Sequence, residues 1–101
     1  MAAVNAIVFK NNSAVTLRPS YSIMGDHWAG LGGWVSSGNE VTINLNNAGL
    51  PEHTNIDFAA QENANLAVHY WKYPHAFVYS ATAPNQLTIT ATSQAGGVVL
   101  T

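Results

Sequence analysis

The chain has no cysteine, so disulfides and thiolate metal sites are excluded. Charge is scarce as well. Only 8% of the 101 residues are Asp, Glu, Lys or Arg, against about 25% in an average domain. Lys10, Arg18 and Lys72 oppose Asp26, Glu40, Glu52, Asp57 and Glu62, for a net charge of −2. Three cations cannot build the phosphate-tracking patch that nucleic acid requires, so no nucleic-acid partner is expected. They also cannot supply strong attraction to an anionic membrane. No apolar run approaches the roughly 18 residues of a spanning helix, which argues against an integral membrane protein. Met1-Ala2-Ala3-Val4 runs straight into a strand pattern, with no basic n-region or apolar h-region of a signal peptide. The expectation is a soluble protein, cytosolic or released without a visible signal peptide.

What is present is an ordinary apolar fraction, 48%, and a wealth of small polar residues: eleven Asn and eight Thr. The surface must be built from amides and hydroxyls, and such apolar content with little charge argues against disorder. The length fits one domain, 1–101. Hydrophobic residues recur with a period of two. Ile7 and Phe9, Val41, Ile43 and Leu45, Ile56, Phe58 and Ala60, and Leu87 and Ile89 each alternate with other residues. Leu66, Val68 and Tyr70 share one face, and Val98 and Leu100 close the chain. Turn signals at Asn11-Asn12-Ser13, Gly25-Asp26, Gly30 to Gly33, Ser36 to Asn39, Asn46 to Pro51, Glu62-Asn63, Ala83-Pro84-Asn85 and Gly96-Gly97 separate these runs. Pro19 and Pro74 mark edges, bends or bulges. The spacing predicts an all-β fold, a single antiparallel β-sandwich without a helix of useful length.

The residues that could do chemistry are scattered. Of His27, His53, His69 and His75, only the last two are close, six apart and on different sides of a bend, so no metal site is expected. There is no Gly-x-Ser-x-Gly, P-loop or cysteine nucleophile. Asp57 and Glu62 lack the deep cleft that tunes a glycosidase pair. The protein is therefore read as non-enzymatic, without a cofactor. Gly30-Leu31-Gly32-Gly33 reads as a flexible connection that could present Trp28 and Trp34. Asn11-Asn12-Ser13 fits a glycosylation sequon, which matters only in a secreted chain.

Aromatics concentrate in Leu66 to Ser80, where Tyr70, Trp71, Tyr73, Phe77 and Tyr79 make up half of the ten in the chain. Tyr and Trp join an apolar body to a polar handle, which suits interfaces, sugar faces and membrane headgroups. An exposed aromatic patch on a small protein marks a binding surface.

Leu66-Ala67-Val68 followed by Tyr79-Ser80, with a proline between, resembles the strand-and-loop signature of actinoporins. Ala6-Ile7-Val8 with Asn11-Asn12-Ser13, Val35 to Ile43, and Ile56-Asp57-Phe58-Ala59 are similar to other elements of that family in the same order. Tyr70-Trp71-Lys72-Tyr73-Pro74 resembles the Tyr-Trp-x-x-Pro element of aegerolysins, small β-sandwiches that recognise membrane lipids, often with a separate pore-forming partner. The resemblance implies a phosphocholine or sphingomyelin headgroup site at a membrane surface. Tyr73 and Tyr79 would face the choline, Ser80 the phosphate, and Tyr70, Pro74 and His75 would belong to the same loop cluster. Trp71, with Trp28 and Trp34, would sit at the lipid interface. The pore-lining amphipathic helix of actinoporins has no counterpart here, so self-sufficient pore formation is not expected; a cytolysin-like role would need a homo-oligomer or a pore-forming partner. Two other readings fit the composition. One is a lectin, whose aromatics stack on a glycan while Asn55, Asp57 and Asn63 bind hydroxyls. The other is a self-assembling structural protein, since lysine guards on strand edges are nearly missing.

Overall fold

The computed structural model describes residues 3–64 and 66–101; Met1 and Ala2, the first residues of the N-terminal run, lie outside them. The described residues form ten strands: β1 (Ala3–Val4), β2 (Ala6–Asn12), β3 (Arg18–Ser22), β4 (Ala29–Gly30), β5 (Glu40–Asn44), β6 (Asn55–Ala64), β7 (Ala67–Lys72), β8 (Phe77–Tyr79), β9 (Gln86–Gln94) and β10 (Gly97–Leu100). Glu62 and Asn63, expected as a turn, lie within β6. The described residues contain no α-helix, only one 3-10 turn over Leu45–Ala48. Asn44 caps that turn through its side-chain oxygen, and Gly49 ends it in the left-handed region at φ 71°. Leu45, expected as the end of a strand, is therefore a buried turn residue.

The strands make two sheets. One runs β1-β8-β6-β3-β4, with β7 also on β6; the other runs β10-β9-β2-β5. The expectation of a purely antiparallel sandwich is corrected: β1 pairs with β8 in parallel, and β2 with β9 in parallel. Both parallel pairs have one cause. Only Asn5 separates β1 from β2, so the chain leaves one sheet and enters the other almost without interruption. The β8–β9 segment makes the same crossing beside it. Ser80 N donates to Val4 O at 3.0 Å and Leu45 N to Asn5 O at 2.9 Å, fixing the crossing on both sides.

Phe9, Ile7, Ile89 and Leu100 from one sheet meet Phe58, Ile56, Phe77 and Val4 from the other in one buried cluster. The Phe9 and Phe58 rings lie 5.7 Å apart in a tilted contact across the layers. Each such side chain contributes about 1.5–3 kcal/mol on burial.

The polar exception in this core is Asn11, fully buried at the end of β2. Its amide nitrogen donates to Val15 O and Val35 O, both at 2.8 Å, and its oxygen accepts from Ser13 N at 3.1 Å and from the Ser13 hydroxyl. One side chain thus ties the end of β2 to the loops carrying Val15 and Val35, the second of which also bridges to Leu17. Both amide hydrogens are engaged in a dry site, so the folded chain cannot carry a glycan at the Asn11 sequon. Asn11→Ala removes the acceptor of the Ser13 N–H and one of the two donors to each of the Val15 and Val35 carbonyls, which keep the Ser13 hydroxyl and Leu17 N. It should cost about 3 kcal/mol, lowering Tm by about 15 °C in a domain of this size. Thermal melts of the variant check this; a loss below ~1 kcal/mol would mean that water replaces the amide.

Candidate functional site

β7 lies antiparallel to β6, with Trp71 opposite Ala60 and Tyr70 opposite Gln61. Ala60 belongs to the core cluster and Trp71 packs against it, so Trp71 and His69 face inward while Val68, Tyr70 and Lys72 face outward. Alternation alone leaves open which face of β7 carries Trp71, and the pairing with β6 decides it. Leu66 and Val68 are exposed, and Leu66 has a φ of 67° at the hairpin tip. The inward ring of Trp71 presses on Gly97 of β10, where even a Cβ would collide with it. Its indole N–H donates to Glu62 at 2.9 Å, and His69 stacks on it at 5.5 Å. Trp71 therefore seals the seam between β7 and β10. Asp57 and Glu62, five residues apart on β6, point to opposite faces and form no carboxylate pair.

On the outward face, the loop between β3 and β4 folds back over the sheet. Ser22 starts it by accepting from Met24 N (3.2 Å) and Gly25 N (2.7 Å) through its hydroxyl. Gly25 turns at φ 81°, beside the Asp57 carboxylate. The small residues Ser20 and Ala59, paired with each other and buried, let the loop lie close. It delivers Trp28 onto Tyr70, stacked at 5.6 Å and 19°, with the Lys72 ammonium 6.0 Å from the indole centre.

Between loop and sheet lies a cleft of about 160 Å³, lined by Gly25, Trp28, Asp57, Phe58, Lys72 and Tyr73. Tyr73 is pinned by its N–H, which donates to Phe58 O at 2.8 Å, and its ring meets His75 edge-on at 5.4 Å. Asp57 is half-buried, and among the described residues no Lys, Arg or His nitrogen lies within 4.0 Å of it. The cleft thus combines one carboxylate, one ammonium, an indole and a phenol. On the same loop, Ile23 and Met24 stand 54% and 75% exposed.

The expected site residues divide into four groups, the first of which is Trp71 alone: expected at a lipid interface, it packs against the core at the β7–β10 seam instead. Trp28, Tyr70 and Tyr73 come together here, with exposed Pro74 and His75 on the adjoining loop. Trp34 is exposed but lies beside β5, next to Glu40 and Val41. Tyr79 and Ser80 are core residues, 5% and 7% exposed. Tyr79 shares the inward face of Phe77, and its hydroxyl donates to Asn46 at 2.6 Å. The Ser80 hydroxyl donates to Glu52 at 2.8 Å, so it faces a carboxylate where a phosphate was expected. Lys72 and Gly25 were not expected at this site, and Asp57 was expected beside the aromatics only in the glycan reading. The sequence signal for Asp57 is its alternation with buried Ile56 and Phe58, which turns it outward. Among the described residues, no three His, Asp or Glu side chains gather as a metal site would require.

Glu52 makes a second link near the crossing: its carboxylate also accepts from Ala81 N at 2.8 Å. That backbone bond first, and the Ser80 hydroxyl second, hold its pKa below the usual 4.5. A depressed carboxylate pKa stabilises the fold fully above the unfolded value and loses that contribution as pH falls through the folded one. The drop in Tm between pH 5 and pH 3 should therefore be smaller in Glu52→Gln than in wild type. Parallel melts over that range test this, and equal slopes would deny the clamp any linkage to folding.

Compared with models of known protein families, with curated proteins and with solved structures, the chain matches none.

Proposed function

We propose that the protein is a non-catalytic binding module that takes a zwitterionic, phosphocholine-type lipid headgroup into the Trp28–Tyr73 cleft at a membrane surface. The observation that carries this is the pairing of an unneutralised Asp57 with Lys72 around two aromatic rings. A quaternary ammonium is favoured by aromatic faces and by a carboxylate. A phosphate needs a donor, which Lys72 supplies. The cleft is smaller than the roughly 300–1,000 Å³ of drug-sized sites, which suits a headgroup rather than a whole lipid. Exposed Ile23 and Met24 beside it would enter the interfacial layer as the headgroup binds. No helix among the described residues is long and apolar enough to cross a membrane, so contact by this loop is the economical arrangement.

A glycan is the second reading. Gln61 and Asn63 lie on the same face as Tyr70, bonded to each other at 3.1 Å. A ring stacked near Tyr70 would find amides to bind its hydroxyls.

The test is co-sedimentation with phosphatidylcholine vesicles, with and without sphingomyelin, while following tryptophan fluorescence. Wild type should bind with a blue shift, and soluble phosphocholine should compete. Asp57→Asn should weaken binding at least about tenfold, the equivalent of ~1.4 kcal/mol, with Tm nearly unchanged. Tyr79→Phe should bind normally while losing about 1 kcal/mol of stability. Undiminished binding by Asp57→Asn would remove the headgroup reading, and competition by free sugars alone would favour the glycan.

A further inference from the structure

We infer that the free edge of β5 is a docking site for a second copy of this chain, the two β5 strands pairing antiparallel about a two-fold axis at Thr42. This surface lies on the opposite sheet from the cleft and does not depend on it.

The hydrogen-bond phase of β5 is set by its flanks. Asn11 N donates to Asn39 O at 2.9 Å and Leu45 N to Asn5 O at 2.9 Å, and the register Phe9↔Val41, Ile7↔Ile43 runs between them without a bulge. In an antiparallel ladder, residues bonded to the partner alternate with residues whose amides point away. Asn39, Val41, Ile43 and Leu45 therefore turn to β2, while Glu40, Thr42 and Asn44 turn their N–H and C=O groups to the free edge. Among the described residues no strand pairs there. The other edges differ. β1 and β4 are two residues long, and the seam of β7 with β10 is filled by Trp71.

β5 also lacks the features that blunt an edge. It has no proline, no lysine and no bulge, and Glu40 is its single charge. Beside it runs a groove of about 400 Å³ whose floor includes Tyr21, Leu31, Val41, Ile43 and Ala48. Half-buried Val41 and Ile43 leave apolar surface uncovered on the side where a continuing strand would place its own.

Charge and phase select the second copy and its register. Outward amides at 40, 42 and 44 can meet identical amides only if even residues face even residues. The two-fold at Thr42 uses the whole strand. It sets Thr42 opposite Thr42, Glu40 opposite Asn44 twice, and Val41 opposite Ile43 twice. Each carboxylate then meets an amide, with Lys10 across from it on its own β2, and each half-buried aliphatic meets another. A two-fold at Val41 or Ile43 shortens the ladder to three pairs. An interface built on one strand belongs to the small, transient class, so association is concentration-dependent.

Sedimentation velocity of the whole chain, from low micromolar to near-millimolar concentration, should show a reversible monomer–dimer equilibrium. Asn44→Asp keeps the cap on the 3-10 turn but sets a carboxylate opposite Glu40. It should raise the dimer Kd at least tenfold without changing Tm. Adding Glu40→Lys to it should restore association. Because the chain has no cysteine, Thr42→Cys offers a clean register test: hydrogen-bonded partners sit about 5.5 Å apart at Cα, within disulfide range. It should oxidise to a cross-linked dimer much faster than the exposed control Thr16→Cys. A wild type that stays monomeric throughout, a dimer indifferent to Asn44→Asp, or equal cross-linking at 42 and 16 would each overturn the proposal.

Discussion

Asn5 carries the chain from one sheet to the other in a single residue, between Val4 and Ile7, which are both buried in the same core. A strand that changes sheets so abruptly must have its backbone groups satisfied by neighbours that change with it. The β8–β9 segment does so, with Ser80 N donating to Val4 O and Asn85 O accepting from Asn5 N, while Leu45 N beyond β5 donates to Asn5 O. Once these two segments run side by side, much else is determined. They must be parallel in both sheets. The sheets are joined along this line, and Phe77 and Tyr79 are drawn into the core that Val4 and Ile56 begin. The Glu52 clamp on Ser80 and Ala81 braces the same line from outside.

Two seams remain between the sheets, and they are closed differently. At the β7–β10 seam a large ring meets a glycine: Trp71 occupies the space that a side chain on residue 97 would fill. That contact decides which face of β7 looks inward, and so sends Tyr70 and Lys72 out to meet Trp28. At the β4–β5 seam the glycines of Gly30-Leu31-Gly32-Gly33 bring no side chains except Leu31. Arg18 lies over Gly30 and donates to Gly32 O at 2.9 Å, which holds the loop without filling the gap. The groove beside β5 is what this leaves. The same sandwich thus hides one flank and offers the other, and the choice is made by where the tryptophan and the glycines stand in the chain.

Much of this was legible in the chain itself. The alternation of β5, β6 and β9 is plain because one face of each is buried and the other wet. The face of β7 is ambiguous for a physical reason: Leu66 and Val68 look like core residues, but burying one indole against Gly97 outweighs two aliphatics near a hairpin tip. Tyr79 could have been placed from Phe77, since both lie on one face of a three-residue strand. The parallel pairs could not, because nothing about Asn5 distinguishes a sheet change from an ordinary strand residue. The cleft was half legible. Its aromatics stand out in any reading and alternation turns Asp57 outward, but the pairing of β7 with β6 and the fold-back of the β3–β4 loop that bring them together are long-range and not encoded in local pattern.

The scarcity of charge gives the cleft its meaning. With three cations and five carboxylates, the chain makes no Lys or Arg salt bridge within 4.0 Å among the described residues; the one close pair is exposed His27 with Asp26. Its charges are instead held by neutral groups. Glu62 takes the Trp71 indole N–H, Glu52 takes Ser80 and Ala81, and Arg18 binds a backbone carbonyl. Such contacts keep the charges solvated by the protein without setting them against each other, and they leave folding nearly independent of ionic strength. Asp57 and Lys72 stand apart from this pattern. They line one cleft on the same outward face, separated by more than ion-pair distance, with aromatic walls that lower the local dielectric. Two opposite charges in that setting attract most strongly a ligand that bridges them, positive at one end and negative at the other. A net anion or a net cation would satisfy one group and be repelled by the second. The preference proposed for a zwitterion thus rests on the spacing of the two charges, independently of which molecule carries it.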